Sequence, residues 1–220
     1  MTAKLFKGAE YLITEVTKDD VFTPEDFTDE QRQIGETTAQ FVQNEVFPRQ
    51  QEIEDHNFDL VVQLMKKCGE LGLLMIDAPE EYGGLELDKA TSMLVAEKIS
   101  SAGSFSVTYS AHTGIGTLPL VYYGTKEQKE KYLNKIISGE WVAAYCLTEP
   151  DSGSDALGAK ATATLSADGK YYLLNGTKQF ITNGSFAHLY TIFAKVDKEH
   201  FTAFLVERGT DGLSVGAEEI

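Results

Sequence analysis

The hydrophobic pattern of the chain changes near residue 140, and this change constrains the fold more than any other feature. Before it, apolar residues such as Ile34, Phe41 and Val46 recur at roughly helical spacing. After Trp141 the period becomes two, and short runs rich in β-branched and aromatic residues follow one another. The sequence therefore predicts an α+β fold, with an N-terminal α-helical domain followed by a truncated, antiparallel, barrel-like β domain.

Polar residues at fixed spacing mark the starts of the helices. Thr28 with Gln31, and Thr125 with Gln128, have the spacing of a capping box, in which each side chain bonds the backbone amide of the other residue. Asp88 is a further helix cap. The predicted helices lie near 28–48, 59–72, 88–99, 104–118 and 125–139.

The second part of the chain contains strand-like runs at 142–148, 160–167, 170–175, 178–182, 189–196 and 201–207. Gly-containing pairs at 168–169, 175–176 and 183–184 separate some of these runs, as in a meander of hairpins.

The predicted domains are an N-terminal arm (1–26), a helical domain (27–140) and a β domain (141–220) that is incomplete at its C-terminus. The apolar residues expected to pack this arm on the body are Leu5, Phe6, Tyr11, Leu12 and Ile13. The end of the chain after a strand-like run indicates a fragment.

The charge balance argues against two classes of partner. The formal net charge is −15, from 34 Asp and Glu against 19 Lys and Arg. Binding to nucleic acid or to an anionic membrane gains most of its affinity from basic side chains, so neither is expected.

Cys68 and Cys146 have no disulfide or metal-site spacing. Without an apolar run long enough for a membrane helix, or a signal or transit peptide, we expect a cytoplasmic, bacterial-type protein with no integral membrane segment.

The stretch YCLTEPDSGSD (145–155) crowds hydroxyls, a glycine and carboxylates behind an apolar run. A nucleophile loop would need a second glycine two residues after Ser154, and a metal loop would need further oxygen ligands. A plain turn built from short polar side chains accounts for much of the pattern. A cofactor loop is the alternative, in which Thr148 bonds a planar ring and Gly153 with Ser154 bonds a pyrophosphate. A second threonine-bearing run, 179–183, could hold the other side of one flat ring.

Several motifs resemble the acyl-CoA dehydrogenase flavoproteins, in the same order. They are PEEYGG (79–84), AHTGIGTLP (111–119), GTKEQKEKYL (124–133), GEWVAAYCLTEP (139–150), CLTEPDSGSD (146–155), LNGTKQFITNG (174–184) and FTAFLVERG (201–209). The likeness runs from about Phe27 to the end of the chain. The N-terminal arm and FTAFLVERG resemble the very-long-chain branch of the family most.

The resemblance implies an FAD cofactor, and the spacing of the potential ligands predicts no metal site. The residues implied to contact FAD are Tyr145, Cys146, Leu147, Thr148, Glu149, Pro150, Gly153, Ser154, Phe180, Ile181 and Thr182. Those implied to contact acyl-CoA are Ser154, Ala111, Ser110 and Gly114. Many members carry tryptophan at Phe180, so the aromatic face is kept but an N–H donor is lost. Medium-chain members carry glutamate near Ala111, so the small residues here suggest a pocket for long acyl chains; close helix packing is the other explanation.

The implied reaction is the α,β-dehydrogenation of an acyl-CoA thioester in fatty acid β-oxidation. The family's catalytic base lies in a C-terminal helical bundle that this sequence does not contain, so no catalytic residue is assigned and the chain alone is expected to be inactive. The implied partners are an electron-transfer flavoprotein as acceptor and further copies of the chain in a homo-oligomer. An acyl-CoA oxidase, a flavin monooxygenase and a non-catalytic acyl-binding or assembly fragment remain alternatives. His112 is expected to be a packed or hydrogen-bonded residue.

Overall fold

The computed structural model describes residues 9–17 and 20–218. Leu5, Phe6 and the side chain of Tyr11 lie outside the described part of the N-terminal arm, so its packing is known only for two of the apolar residues. Leu12 is 69% exposed and Ile13 is 90% exposed. The expectation that these two side chains pack on the body is therefore wrong.

The capping boxes begin helices where the sequence predicts them. The side chains of Thr28 and Gln31 bond each other's backbone amides, at 3.2 and 2.9 Å, and Thr125 and Gln128 do the same. The helices are α1 (Asp29–Phe41), α2 (Gln50–Glu54), α3 (Phe58–Glu70), α4 (Lys89–Ile99), α5 (Ser104–Ala111), α6 (Leu118–Tyr123) and α7 (Lys126–Ile137). No helix among the described residues is long and apolar enough to cross a membrane.

Two of the predicted helices differ in detail from the prediction. The first does not end at Pro48, because a π-helical segment (Val42–Val46) and a 3-10 turn (Phe47–Arg49) lead directly into α2. The helix expected over 104–118 is interrupted by a π-helical segment, His112–Gly116, which separates α5 from α6. This interruption places His112 between the helices and the first strand.

The helices enclose an apolar core of their own. Its fully buried large side chains include Leu60, Leu64, Met65, Ile99 and Phe105. A smaller cluster from α6 and α7 packs against Ala143 and Leu189. This second cluster joins the helical part to the sheet and fixes the place where the first strand leaves the helices.

The sheet contains β1 (Ala143–Cys146), β2 (Thr162–Leu165), β3 (Tyr172–Asn175), β4 (Leu189–Val196) and β5 (His200–Glu207). β4 is central: it pairs in parallel with β1 and β2 along one side, and antiparallel with β5 along the other. β2 and β3 form an antiparallel pair. The α+β class is confirmed, but the sheet is mixed and does not close into a barrel, so the expected antiparallel meander is wrong.

The reason for this difference is the run 178–182, which is a loop and not a strand. Phe180 and Asn183 have φ values of 57° and 68°, and a left-handed backbone cannot continue an extended ladder. Because this run forms no strand, β3 is not followed by a neighbouring antiparallel strand. The chain instead crosses over from β3 and returns as β4, which lies beside β1. The β4–β5 hairpin turns at Asp197 and Lys198, which are also left-handed, while of the predicted Gly-containing turns only 168–169 joins paired strands.

Candidate functional site

The two threonine-bearing segments meet at the end of β1. The Gln179 N–H donates to the Thr148 carbonyl at 2.9 Å. The Lys178 ammonium donates to the Leu147 carbonyl at 3.1 Å. The structure therefore brings the polar loop after β1 and the run 178–182 together, although the second segment is a loop between β3 and β4.

One buried carboxylate ties these segments to a third. The Glu149 carboxylate accepts from the Lys178 ammonium at 2.7 Å and from the backbone amides of Lys160 and Ala161 at 2.6 and 3.0 Å. The side chains of Glu149 and Lys178 are 5% and 9% exposed. Burial alone would raise the pKa of the Glu149 carboxyl, but these hydrogen bonds outweigh burial and lower it. Glu149 is thus an ionised structural group whose oxygens contact protein atoms.

The same loops also present polar groups that have no partner within the described residues. The hydroxyls of Thr148 and Thr182 are half-buried, and neither makes a hydrogen bond there. The amides of Gly153 and Ser154 are also unpaired in the described chain, and both residues are exposed. Two separated sets of free donors, one at a strand end and one on an exposed turn, fit a ligand with a polar ring and a phosphate group. The donor set therefore fits FAD.

The other residues implied to contact FAD do not share one surface, and two of them lie on opposite faces of β1. The Tyr145 ring packs against Phe193, with ring centroids 4.9 Å apart. Cys146 lies on the opposite face of β1, buried with Ala144 and Tyr190, and burial raises the pKa of its thiol to about 12. Phe180 is 67% exposed beside the half-buried Ile181, and Pro150 is exposed.

The helix expected to contact the acyl chain lies beside these loops. Ala111 at the end of α5 is buried, and Ser110 is exposed. A Cβ added at Gly114 would meet nothing within 4 Å, whereas a Cβ at Gly116 would lie 3.0 Å from the Ala143 Cβ. Close packing therefore explains a glycine at position 116 but not at position 114, where the backbone borders open space.

Asn183 links this helix to the second threonine segment, and the sequence did not reveal that role. Its amide donates to the Thr108 carbonyl on α5 at 3.1 Å and to the Ala143 carbonyl on β1 at 3.3 Å. Its Oδ1 is buried without a partner in the described structure. Lys178 was missed in the same way. The available signals were a lysine at the start of the run 178–182 and the Asn-Gly pair 183–184, for which the sequence predicts a hairpin turn.

His112 occupies the junction between helices and sheet. The Ala143 N–H donates to its Nδ1 at 3.0 Å, and its Nε2 lies 3.2 Å from the Ile136 carbonyl. The first contact requires Nδ1 to be the acceptor, so Nε2 carries the proton. Burial lowers the pKa of His112 to about 4. The expectation of a hydrogen-bonded, structural histidine is confirmed.

A cavity of about 1250 Å³ is bordered by the sheet, by Tyr132 of α7 and by the end of the described chain. Its walls include Cys146, Ile192, Ala194 and Phe204 of the sheet, together with the run 178–182. No group of three or more potential metal ligands occurs among the described residues.

Two family profiles match the chain. The acyl-CoA dehydrogenase N-terminal domain matches residues 28–140, and the acyl-CoA dehydrogenase middle domain matches residues 144–219. A probable acyl-CoA dehydrogenase of Bacillus subtilis is 55% identical over 99% of this chain and 36% of its own length. The isovaleryl-CoA dehydrogenase of Pongo abelii is 41% identical over 85% of the chain and 46% of its own length. The human very long-chain specific enzyme is 37% identical over 98% of the chain and 34% of its own length.

A solved structure is similar over nearly the whole chain. It is an acyl-CoA dehydrogenase complexed with FAD from Bacillus anthracis, with a TM-score of 0.96 and 55% identity over 98% of this chain and 37% of that one. The chain thus spans between a third and a half of the length of the relatives described above.

Proposed function

The chain belongs to the acyl-CoA dehydrogenase family, and we propose that it forms the flavin-binding and acyl-binding part of an enzyme that dehydrogenates acyl-CoA thioesters between the α and β carbons. FAD is the cofactor of this family. The observation that carries the proposal is the hydrogen bond between Gln179 and Thr148, which joins the two loops that carry the half-buried Thr148 and Thr182.

Each residue of the site has a separate task in this proposal. The hydroxyls of Thr148 and Thr182 bond the polar edge of the flavin ring, and the aromatic face of Phe180 covers it. The amides of Gly153 and Ser154 bind phosphate oxygens, and Ser154 also borders the acyl-CoA. Bound FAD supplies a hydride acceptor for the β-hydrogen. The chain's own contribution is to hold the ring and the acyl chain side by side, with α5 next to the second threonine loop.

We assign no general base within these residues. Glu149 is the buried carboxylate closest in sequence to Thr148, and its oxygens are held by Lys178 and two amides. An ionised carboxylate in that network is a poor proton acceptor, because taking up a proton would break the ion pair. The 220-residue chain by itself is therefore proposed to bind FAD without oxidising acyl-CoA.

Anaerobic titration tests the function directly. The proposed enzyme that contains this chain is expected to bind FAD, and acyl-CoA is expected to bleach the flavin absorbance and yield the α,β-unsaturated thioester. Failure to bleach the flavin with any acyl-CoA would contradict the proposal. Rapid hydrogen peroxide formation in air would indicate an oxidase, and hydroxylated product would indicate a monooxygenase. In the 220-residue chain alone, bleaching would show that a base lies within it.

We also propose that the acyl pocket takes long chains, as in the very-long-chain branch. The open space at Gly114 and the small side chain of Ala111 support this, because each buried CH₂ contributes about 0.8 kcal/mol only where there is room for it. A Gly114→Phe variant is expected to shift the preference toward shorter chains, measured as kcat/KM across an acyl-CoA series. A wild-type preference for short or branched acyl groups, such as isovaleryl, would contradict the proposal.

The wider context is proposed on the same basis. The enzyme would act in fatty acid β-oxidation in the cytoplasm, as a homo-oligomer, and pass electrons to an electron-transfer flavoprotein. Light scattering of the purified protein tests the oligomer, and reduction of purified electron-transfer flavoprotein in the presence of acyl-CoA tests the acceptor. A monomer, or an acceptor reduced no faster than by free flavin, would contradict these two parts.

A further inference from the structure

We propose that the buried Glu149–Lys178 ion pair is a positioning element that holds the loop 147–152 and the run 178–182 at the separation needed to receive the flavin ring. The inference rests on the proposed function, since the ring is the ligand assigned to these loops. Neither side chain takes part in the chemical reaction. Their task is to fix the positions of Thr148 and Thr182 before FAD binds.

The pair is a link between three parts of the chain that are far apart in sequence. Glu149 bonds Lys178 and also the amides of Lys160 and Ala161, just before β2. Lys178 also bonds the carbonyl of Leu147. Every one of these contacts is between segments, and a change at either side chain removes the ion pair that ties the loop 147–152 to Lys178.

An exposed ion pair in the same loop provides the contrast. The ammonium of Lys160 lies 2.8 Å from a carboxylate oxygen of Asp151, yet these side chains are 72% and 70% exposed. Exposed pairs contribute little, because solvent screens them and the side chains lose entropy. Burying Glu149 and Lys178 costs far more desolvation, which their hydrogen bonds must offset. Two apolar side chains could fill the same space, but they could not bond two amides and a carbonyl.

The geometry of the backbone carries this effect to the threonines. Thr148 directly precedes Glu149, and its carbonyl accepts from Gln179, which directly follows Lys178. The next residue, Phe180, has a left-handed backbone that an aromatic residue does not favour, so surrounding contacts must hold it. Thr182 lies two residues further on. A shift of Lys178 therefore moves both ring-contacting residues of its segment relative to Thr148.

The experiment compares Glu149→Gln and Lys178→Met with wild type in the purified protein, with Lys160→Met as the matched exposed control. FAD affinity is measured by quenching of flavin fluorescence. Without FAD, hydrogen exchange of the Gln179 amide and of the run 178–182 is measured. Both buried-site variants are expected to weaken FAD binding by about tenfold to hundredfold, as small misplacements of binding groups do. They should also speed exchange of that run and alter the visible spectrum of bound flavin. Lys160→Met should change none of these.

Two further variants separate positioning from simple stability. Lys178→Arg keeps the charge and the donors, and should recover most of the affinity and the wild-type spectrum. The double variant Glu149→Gln/Lys178→Met removes the unpaired charge, so it should regain thermal stability but not FAD affinity. If the double variant binds FAD as wild type does, or if the single variants lower only the melting temperature, the inference is overturned and the proposed function stands. If wild type itself binds no FAD, the proposed function fails instead.

Discussion

The helical and sheet parts of this molecule are held together in different ways. The helical part surrounds fully buried side chains such as Met65 and Phe105, and α1, α3, α4 and α7 begin at caps formed by neighbours in sequence. In the sheet part, the loops around the site are held by polar contacts between distant residues, including Glu149–Lys178 and the Asn183 amide. The difference teaches that hydrophobic burial supports the scaffold, while long-range hydrogen bonds set the geometry of the site.

The largest expected effect contrasts two phenylalanines. Phe105→Ala, in the helical core, should lower the free energy of unfolding by about 3–5 kcal/mol, because it leaves a cavity among close-packed side chains. Phe180→Ala, at a 67% exposed position beside the site, should change it by less than about 0.5 kcal/mol, while weakening FAD binding. Urea unfolding and flavin titration of both variants provide the measurements. Equal losses of unfolding free energy in the two variants would contradict the distinction between a scaffold held by burial and a site held by polar contacts.

A second prediction concerns the junction between the regions, where His112 is buried and neutral. Its pKa is about 4 in the folded protein against an ordinary value of 6.5. The unfolded chain therefore takes up a proton first as the pH falls, so this contribution to stability is complete above 6.5 and is lost toward 4. Urea unfolding should show a loss of roughly 2 kcal/mol between about pH 7 and about pH 5.

The control for this titration is His112→Asn, measured over the same interval. It should be less stable than wild type at neutral pH, because contacts to Ala143 and Ile136 are weakened, but it should lack most of the pH dependence. A variant with the same slope as wild type would assign the titration to other groups.

These regions also differ in how far the sequence predicts them. The caps at Thr28 and Thr125 located the starts of α1 and α7 to within a residue, because a capping box involves only a single turn of chain. The loop 145–155 was identified as a candidate site, and its neighbour 178–182 was correctly placed beside it. The parallel pairing of β1 with β4 was not predictable, since it depends on which distant strands meet. Nor was the pairing of Lys178 with Glu149, which lie 29 residues apart.

Substitutions of two glycines test which parts of the segment between α5 and α6 are closely packed and which border open space. Gly116→Ala should destabilise the protein by about 1–3 kcal/mol, because the new methyl group would press on Ala143 at the start of β1. Gly114→Ala should stabilise it by up to about 1 kcal/mol, since it faces open space and alanine favours a helix. Thermal and urea unfolding would reveal the opposite signs. A loss of stability at position 114 would show that packing requires that glycine too.

The caps offer a smaller and purely local comparison. Thr125→Ala removes the side-chain oxygen that accepts from the Gln128 amide at the start of α7. The expected cost is about 1 kcal/mol of unfolding free energy. Thr125→Ser keeps the oxygen, and serine is at least as good a cap as threonine, so this variant should keep the wild-type stability. An equal loss in both variants would indicate that the threonine methyl group, and not the cap, is the source.

The smallest expected effect is in the β4–β5 hairpin, whose turn residues Asp197 and Lys198 have φ values of 53° and 65°. A left-handed lysine costs free energy that glycine avoids, but glycine also loses more entropy on folding. Asp197→Asn/Lys198→Gly creates the preferred turn pair and should stabilise the protein by about 0.5 kcal/mol. Because β4 carries the ladders to β1, β2 and β5, exchange of its amides should slow together. Slower exchange confined to the turn amides would mean that a better turn does not stabilise the whole sheet, whereas a better cap stabilises a helix.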